Sequence, residues 1–398
     1  MLTLLTDRNS SSPSTDVLIV GGGPAGLYAG RQLARAGFSV DLFEEHATIG
    51  SPVHCTGVLA RDAFATFEVP VTSILNELRT VRFVGPSGAP LEYTTPNVEA
   101  VVVDRVRFDR DLADQAQRAG VRVHTARVTD LEIDPKGVSA ATRSGPWRAR
   151  AVVLACGASY GLQRRLGLGL PSLLLQTAQA EMPADRLGEV EVHFGSAAAP
   201  QGFAWAVPVC RAERPHVRVG VMCHGDAVAH FRRMREVVAE RWQVPAGQGC
   251  VPRQKVLPLG PIKKTFGERV LVIGDAAGLV KPTTGGGIYY SLASAGLAAE
   301  TLASAFARGN LREGTLAAYQ TAWRKQLGPE LRWQSVLRRV SARLSDRDID
   351  RLFDLARTDG LMPLVRRTAR FNQHRDFIVA LLKHPPARRV LFKAAFAA

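Results

Sequence analysis

The residues with the clearest chemical use are Gly274 and Asp275, which end the apolar run Val270-Leu271-Val272-Ile273, and the glycines Gly285, Gly286 and Gly287, which follow Lys281-Pro282-Thr283-Thr284. That use is the holding of a charged ligand. Glycine lets backbone N–H groups come close to an anion, and the start of a helix carries partial positive charge that favours one. Taken alone, the segment also fits an ordinary strand-turn-helix connection. A second segment, near the other end of the chain, favours the ligand. There Gly21-x-Gly23-x-x-Gly26 ends the apolar run Val17 to Val20, and Glu44 stands eighteen residues beyond Gly26. Each part of this dinucleotide fingerprint has a physical job: Gly21 makes the turn, Gly23 admits a pyrophosphate, Gly26 lets helix and strand pack, and Glu44 accepts hydrogen bonds from a ribose hydroxyl. Glu45 is the alternative ribose partner, since strand ends read from sequence shift by a few residues.

These residues need strands and helices to hold them. Asp16 to Val20 predicts a buried strand, Leu27 to Ala36 a helix, and Phe38 to Glu44 a second strand. Val101 to Asp109 leads into a helix from Arg110 to Ala119, Val121 to His124 is a strand, and Ala151 to Ala155 is a buried strand ending at Cys156-Gly157. By contrast, Arg79 to Tyr93 and Glu189 to Val221 alternate with period two, as a half-buried antiparallel sheet does. The expected fold is therefore α/β, α+β overall, with a discontinuous Rossmann-like nucleotide domain over 16–75, 100–170 and 255–320. An antiparallel-sheet substrate domain occupies 76–99 and 171–254. A flexible tail over 1–15 precedes them and a helical region over 321–398 follows.

Composition narrows the class. A chain of 398 residues with 46% hydrophobic content is too apolar to be largely disordered and long enough for more than one domain. Cys55, Cys156, Cys210, Cys223 and Cys250 are odd in number and have no metal-type spacing, which points to reduced thiols in a cytoplasmic setting and to no metal site. Met1 to Thr15 is polar and Ser-rich, unlike a signal peptide, and no apolar run approaches the roughly 18 residues that cross a bilayer. The net charge of +15 suits an anionic membrane surface, an acidic partner protein, an anionic substrate or nucleic acid. Much of it lies late in the chain, where residues such as Arg338, Arg339, Arg366, Arg367, Arg388 and Arg389 alternate with apolar ones at helical spacing. That pattern fits peripheral contact with a membrane, and equally a solvated helical face. No nucleic-acid fold signature accompanies the charge, which sets nucleic acid aside.

The glycine fingerprint, Asp104-Arg105 before a helix, Ala155-Cys156-Gly157 at a strand end and Gly274-Asp275, in that order, resemble FAD-dependent enzymes of the para-hydroxybenzoate hydroxylase fold. Within it the chain is similar to the geranylgeranyl reductase family. Three matches carry this: Gly50-Ser51-Pro52-Val53-His54-Cys55, Gly202-Phe203-Ala204-Trp205-Ala206-Val207-Pro208, and Lys281 to Tyr290. The resemblance runs from Asp16 to about Ala322. It implies FAD, with its adenosine over Gly21 to Gly26 and Glu44, its pyrophosphate near Arg105, and its ribityl chain at Asp275. Gly285, Gly286 and Gly287, with Ile288 next in line, would present N–H groups to the ring where negative charge grows on reduction. Arg105 also fits a surface cation, and Asp275 a helix cap.

The resemblance further implies reduction of carbon-carbon double bonds in a geranylgeranyl-type isoprenoid or prenyl lipid. Cys55 matches the family's flavin-side cysteine, as proton donor or as a group that tunes flavin and substrate placement; without the motif it is a small buried hydrophobe. The family commonly follows this cysteine directly with glycine, whereas here Thr56 precedes Gly57. His54 is a candidate proton relay, or structural. Phe203, Trp205 and Pro208 match an aromatic-x-Trp-x-x-Pro substrate motif, and Tyr289 and Tyr290 either flank the flavin or pack in the helix interface. Two rivals share these features: a flavin monooxygenase or halogenase, and an electron-transfer flavoprotein that docks an acidic partner. With no second complete glycine fingerprint, the electron donor is either NAD(P)H bound transiently or a reduced ferredoxin.

Overall fold

Strand Ser14–Val20 pairs in parallel with Val40–Glu44 on one side and with Gly145–Leu154 on the other in the computed structural model, which describes residues 14–245, 250–358 and 360–396. Arg122–Thr125 extends the sheet beyond the first neighbour and Val270–Val272 beyond the second, again in parallel. Val17, Leu18, Ile19, Val152, Val153, Leu271 and Val272 are fully buried, as strands covered on both faces must be. The glycine turns at Gly21 and Gly274 leave these parallel strands at their carboxyl ends, where ligands of open α/β sheets bind. Residues 1–13, nearly all of the expected tail, lie outside the described residues; Ser14 and Thr15 already belong to the first strand.

Helix Pro24–Arg35 follows the first turn with its proline in the opening helical position, where a missing N–H costs nothing. It packs between Arg105–Arg118 and Ile288–Ala307. The helix expected from Arg110 in fact begins at Arg105. Asp104 is the cause: its carboxylate accepts from the Val106 and Arg107 N–H groups at 3.0 and 3.1 Å, which caps the helix there. Likewise the last of these helices opens at Ile288, directly after the glycine run.

The second sheet has seven strands, in the order Arg253–Pro258, Leu174–Pro183, Arg214–Cys223, Phe203–Arg211, Val190–His193, Thr80–Val84 and Pro90–Thr94. It is antiparallel except where Val190–His193 meets Thr80–Val84. No hairpin joins those two strands, so nothing forces them to run oppositely. Alternation divides strand Arg214–Cys223 cleanly: Val217, Val219 and Val221 pack against helix Ala227–Trp242, while Arg218, Gly220 and Met222 face the other way. A small antiparallel sheet of Val58–Ala60, Ala100–Val103 and Ile74–Leu78 has Ala100–Val103 at its centre.

Three elements span the divisions expected between these regions, the first being strand Ile74–Leu78, which crosses 75 within the small sheet. Strand Arg253–Pro258 crosses 254 and pairs with Leu174–Pro183 of the second sheet. Helix Glu313–Gln326 crosses 321 and buries Leu316, Tyr319 and Trp323 in the nucleotide core. The five helices after it, from Gly328–Ser341 to Pro385–Phe396, turn apolar side chains such as Leu337, Phe353 and Leu381 toward a common cavity. Among the described residues no helix is long and apolar enough to cross a membrane.

Candidate active site

One cavity of about 1330 Å³ joins the two sheets. It starts at Gly21 and Gly23, passes Glu44, Glu45, His54, Cys55, Arg105, Asp275, Gly285, Gly286, Gly287 and Ile288, and continues along Phe203 and Trp205 to the C-terminal helices. Gly26, Gly274, Pro208 and Tyr289 do not line it.

At the nucleotide end, local sterics account for the glycines. Gly21 has φ +112°, and a Cβ there would lie 2.3 Å from the Ala155 carbonyl oxygen. A Cβ on Gly26 would lie 2.0 Å from the Gly21 oxygen, so Gly26 serves helix packing behind the site. A Cβ on Gly23 would meet nothing within 4 Å, which leaves open space in front of its backbone. Glu44 lies at the end of its strand and accepts the Gly22 N–H at 2.7 Å. Glu45 is exposed and faces Arg127 at 3.5 Å. Open backbone at Gly23 beside a fixed carboxylate fits a dinucleotide.

Arg105 departs from the expected arrangement. Its guanidinium is bound to both Asp109 oxygens at 2.9 Å, one helical turn on, and it also faces the Cys55 side chain. Burial opposes its charge, but Asp109 holds it protonated. Asp109 thereby offsets the charge that Arg105 would bring to a pyrophosphate.

Asp275 sits in the one-turn 3-10 helix Gly274–Ala277, and its carboxylate accepts no hydrogen bond among the described residues, so it does not cap a helix. A Cβ on Gly287 would stand 2.8 Å from its Oδ1, so only glycine permits this approach. Tyr160, which the sequence did not mark, has a buried hydroxyl without a partner; burial, and then the Asp275 carboxylate, push its pKa up. In the glycine run, the Gly285 N–H is taken by the Lys281 carbonyl at 2.8 Å, and Lys281 N–H donates to Gly286 at 3.1 Å. The N–H groups of Gly287 and Ile288, at the helix start, are left without acceptors among the described residues.

Lys281 is buried. Its ammonium donates to the Phe371 carbonyl at 2.8 Å and lies 4.2 Å from the centre of that ring. Burial lowers its pKa to about 7, against the pull of Asp62 and Glu330. Thr283 reaches Gln334 at 3.1 Å and His374 Nδ1 at 2.8 Å, while burial and then Lys281 lower the His374 pKa to about 4. The C-terminal helices are thus fastened to the loop that carries the glycine run.

Cys55 stands where the nucleotide end meets the apolar end. Gly57, at φ +76°, donates its N–H to Cys55 Sγ at 3.3 Å and accepts from Val103 at 2.9 Å. Thr56, the residue that separates cysteine from glycine, donates from Oγ1 to Gln179 at 3.0 Å. His54 Nδ1 is buried without a partner, and burial, followed by Lys255 and Arg253, lowers the ring's pKa.

Beyond the cysteine, Trp205 packs on Gly220, where a Cβ would come within 2.2 Å of the indole. Its Nε1 is also buried and unpartnered. Phe203 stands 5.7 Å from Trp205 and 6.2 Å from Phe194, which contacts Phe353 of the C-terminal helices at 6.1 Å. Pro208 pairs with Val217 and so shares its side of the sheet, away from the cavity. Tyr289 packs edge-on against Phe67 at 5.0 Å.

A nucleotide sheet with five parallel strands at its centre, opening into an apolar, cysteine-bearing chamber, is the arrangement of an FAD-dependent oxidoreductase. Residues 19–74 match the NAD(P)-binding Rossmann-like domain family, and residues 250–372 match the lycopene cyclase protein family. Digeranylgeranylglycerophospholipid reductase 2 of Methanothermobacter thermautotrophicus is 31% identical over 354 residues, which span 85% of this chain and 90% of that protein. The chain belongs to the digeranylgeranylglycerophospholipid reductase family. In fold it is similar to a geranylgeranyl bacteriochlorophyll reductase-like protein from Thermoplasma acidophilum, with TM-score 0.78, 22% identity, and 96% and 100% of the two chains covered. It is also similar to a flavin-dependent brominase, with TM-score 0.66, 18% identity, and 96% and 98% covered.

Proposed function

We propose that the protein is an FAD-dependent reductase that adds two hydrogens across carbon-carbon double bonds of a geranylgeranyl-type chain, carried on a glycerophospholipid. The observation that carries this is the continuity of one cavity from the Gly23 cradle, past Cys55, to the Phe203 and Trp205 wall. FAD, once reduced, supplies a hydride. The chain's own residues do the rest.

Glu44 would accept a ribose hydroxyl, the Gly23 backbone would face the pyrophosphate, and Asp275 would accept from the ribityl chain, with the Tyr160 hydroxyl beside Asp275. The N–H groups of Gly287 and Ile288 stabilise negative charge with donors already fixed in place. Cys55 holds the proton for the second alkene carbon at Sγ. His54, kept neutral by burial, relays its replacement through the unpartnered Nδ1. Phe203 and Trp205 hold the chain in an apolar, water-poor space where any charge developing on the alkene is felt strongly by nearby groups. The C-terminal helices complete that space. Their outer faces carry exposed Arg339, Arg366, Arg367, Arg388 and Arg389, which suit the anionic surface from which such a lipid is drawn.

The fold is shared with halogenating enzymes, so the test must separate the two chemistries. Dithionite-reduced protein is mixed anaerobically with a digeranylgeranyl glycerophospholipid while flavin absorbance is followed. Reoxidation by the lipid without oxygen is expected. Reoxidation that needs oxygen and is stimulated by an aromatic compound would overturn the reductase.

A further inference from the structure

Strand Arg214–Cys223 touches three separate parts of the site with one face. Successive side chains on that face are about 7 Å apart, because the strand rises about 3.3 Å per residue and alternates sides. Met222 lies 3.5 Å, through its sulfur, from where a Cβ on Gly285 would be. Gly220 makes room for the Trp205 indole. Arg218 reaches the cysteine loop, where Nη1 donates to the Thr56 carbonyl and, at 3.0 Å, to the Val103 carbonyl. The opposite face, Val217, Val219 and Val221, is wholly buried against helix Ala227–Trp242, so the strand has little freedom to shift.

Arg218 is 3% exposed, and its charge is met by Glu181 at 2.7 Å. Glu181 is also held by Arg211, and Arg211 binds Asp104 at 2.5 Å. Asp104 caps the helix whose first residue, Arg105, faces Cys55. The cysteine loop is therefore gripped from both sides by one ionic chain that begins in the substrate sheet. The interposed Thr56 supplies the carbonyl that Arg218 holds and the hydroxyl that Gln179 holds.

We propose that Arg218 is a positioning residue, which sets where Cys55 Sγ stands relative to the Trp205 wall by gripping Thr56 from the substrate sheet. The inference rests on the role of Cys55 given above. A guanidinium suits the task because its fixed fork bonds Glu181 and two carbonyls together, which an ammonium on a flexible stem does not reproduce.

The test compares Arg218→Met, Arg218→Lys and Arg218→Ala with wild type. Alkylation of Cys55 by iodoacetamide is read by peptide mass mapping, with Cys250, on the helix side of the sheet, as internal standard. FAD dissociation constants, kcat and KM are measured beside it. Arg218→Met is expected to change the Cys55:Cys250 alkylation ratio by about 10-fold or more and to lower kcat by about 10- to 100-fold, the scale of an ångström-sized displacement. FAD affinity and KM should stay within about threefold of wild type, a free-energy change well under 1 kcal/mol. Arg218→Lys should fall between, and a low, non-denaturing concentration of guanidinium ion should restore Arg218→Ala toward wild type. An unchanged alkylation ratio would overturn the inference, as would FAD affinity, KM and kcat all failing together without guanidinium rescue. If Arg218→Met does not fold, Glu181→Gln, which loosens Arg218 while leaving it in place, must alter the same ratio. A wild-type protein that reduces no prenyl lipid would sink the proposed reaction and leave the alkylation ratio to decide on Arg218.

Discussion

The Lys281 ammonium donates to the Phe371 carbonyl at 2.8 Å, so the loop that carries Gly285 to Gly287 is locked to the C-terminal helices by a buried lysine. Burial lowers that lysine from its usual 10.5 to about 7. Below about pH 7 folded and unfolded chains both carry the proton, and the cost of burying the charge is fully present. Between about 7 and 10.5 the unfolded chain binds a proton that the folded one does not, so stability rises with pH. The expected result is that the unfolding free energy of wild type, minus that of Lys281→Met, moves in favour of wild type from about pH 7 to about pH 10, by at most 1.4 kcal/mol per unit. Urea melts across that range check it, and a pH-independent difference would remove Lys281 as the titrating group.

Gly23 separates folding from cofactor binding. Its missing Cβ would touch no protein atom within 4 Å, so Gly23→Ala should melt like wild type as apoprotein. It should nevertheless bind FAD at least about tenfold more weakly, or about 1.4 kcal/mol, because the methyl projects into the space proposed for the pyrophosphate. Flavin titration of the apoprotein measures this, and wild-type affinity would place the pyrophosphate elsewhere. Gly26→Ala, by contrast, drives a methyl to 2.0 Å from the Gly21 oxygen and should damage stability and binding together.

Gly220 and Trp205 form a steric pair. Gly220→Ala pushes a methyl to 2.2 Å from the indole, which must tilt into the cavity. Overpacking of this kind costs about 1–3 kcal/mol. The expectation is a lower melting temperature and a raised KM for the prenyl lipid, with FAD affinity unchanged. An unaltered KM would mean that the indole is no part of the substrate wall.

Helix Asp346–Thr358 is held over the cavity by two carboxylates: Asp346 accepts the Ser196 N–H at 2.8 Å and Asp350 the Ser87 N–H at 3.0 Å. Each contributes about 1 kcal/mol, since both are partly solvated. The double variant Asp346→Ala, Asp350→Ala should be cut faster by protease between Ser341 and Gly360 and should show a raised KM for long prenyl lipids. Equal cleavage rates would show that these contacts do not hold the helix.

Local patterns were legible in the sequence wherever one residue type has one physical reason to be there. Gly21, Gly23, Gly26 and Glu44 follow from the close approach of strand, helix and ligand, and the buried strands at 17–20, 151–154 and 270–272 from their unbroken apolar runs. Alternation from Phe203 also places Pro208: Trp205 and Val207 share one face, so Pro208 must lie on the other. What stayed hidden depends on contacts between distant segments. The Gly285 N–H is spent on Lys281, Arg105 is committed to Asp109, and Arg218 sits among buried valines with nothing in its neighbourhood to show that it reaches Thr56. The C-terminal helices appeared as amphipathic pattern, and only their packing shows that their apolar sides close the cavity.

Product mass tests the alkene reduction directly. Reduced, FAD-loaded protein is incubated anaerobically with a digeranylgeranyl glycerophospholipid, in parallel with Cys55→Ser, and the lipids are analysed by mass spectrometry. Wild type is expected to add two hydrogens for each double bond reduced, and Cys55→Ser little or none although its flavin is retained. A lipid of unchanged mass with fully loaded wild type, or equal hydrogenation by Cys55→Ser, would contradict that expectation.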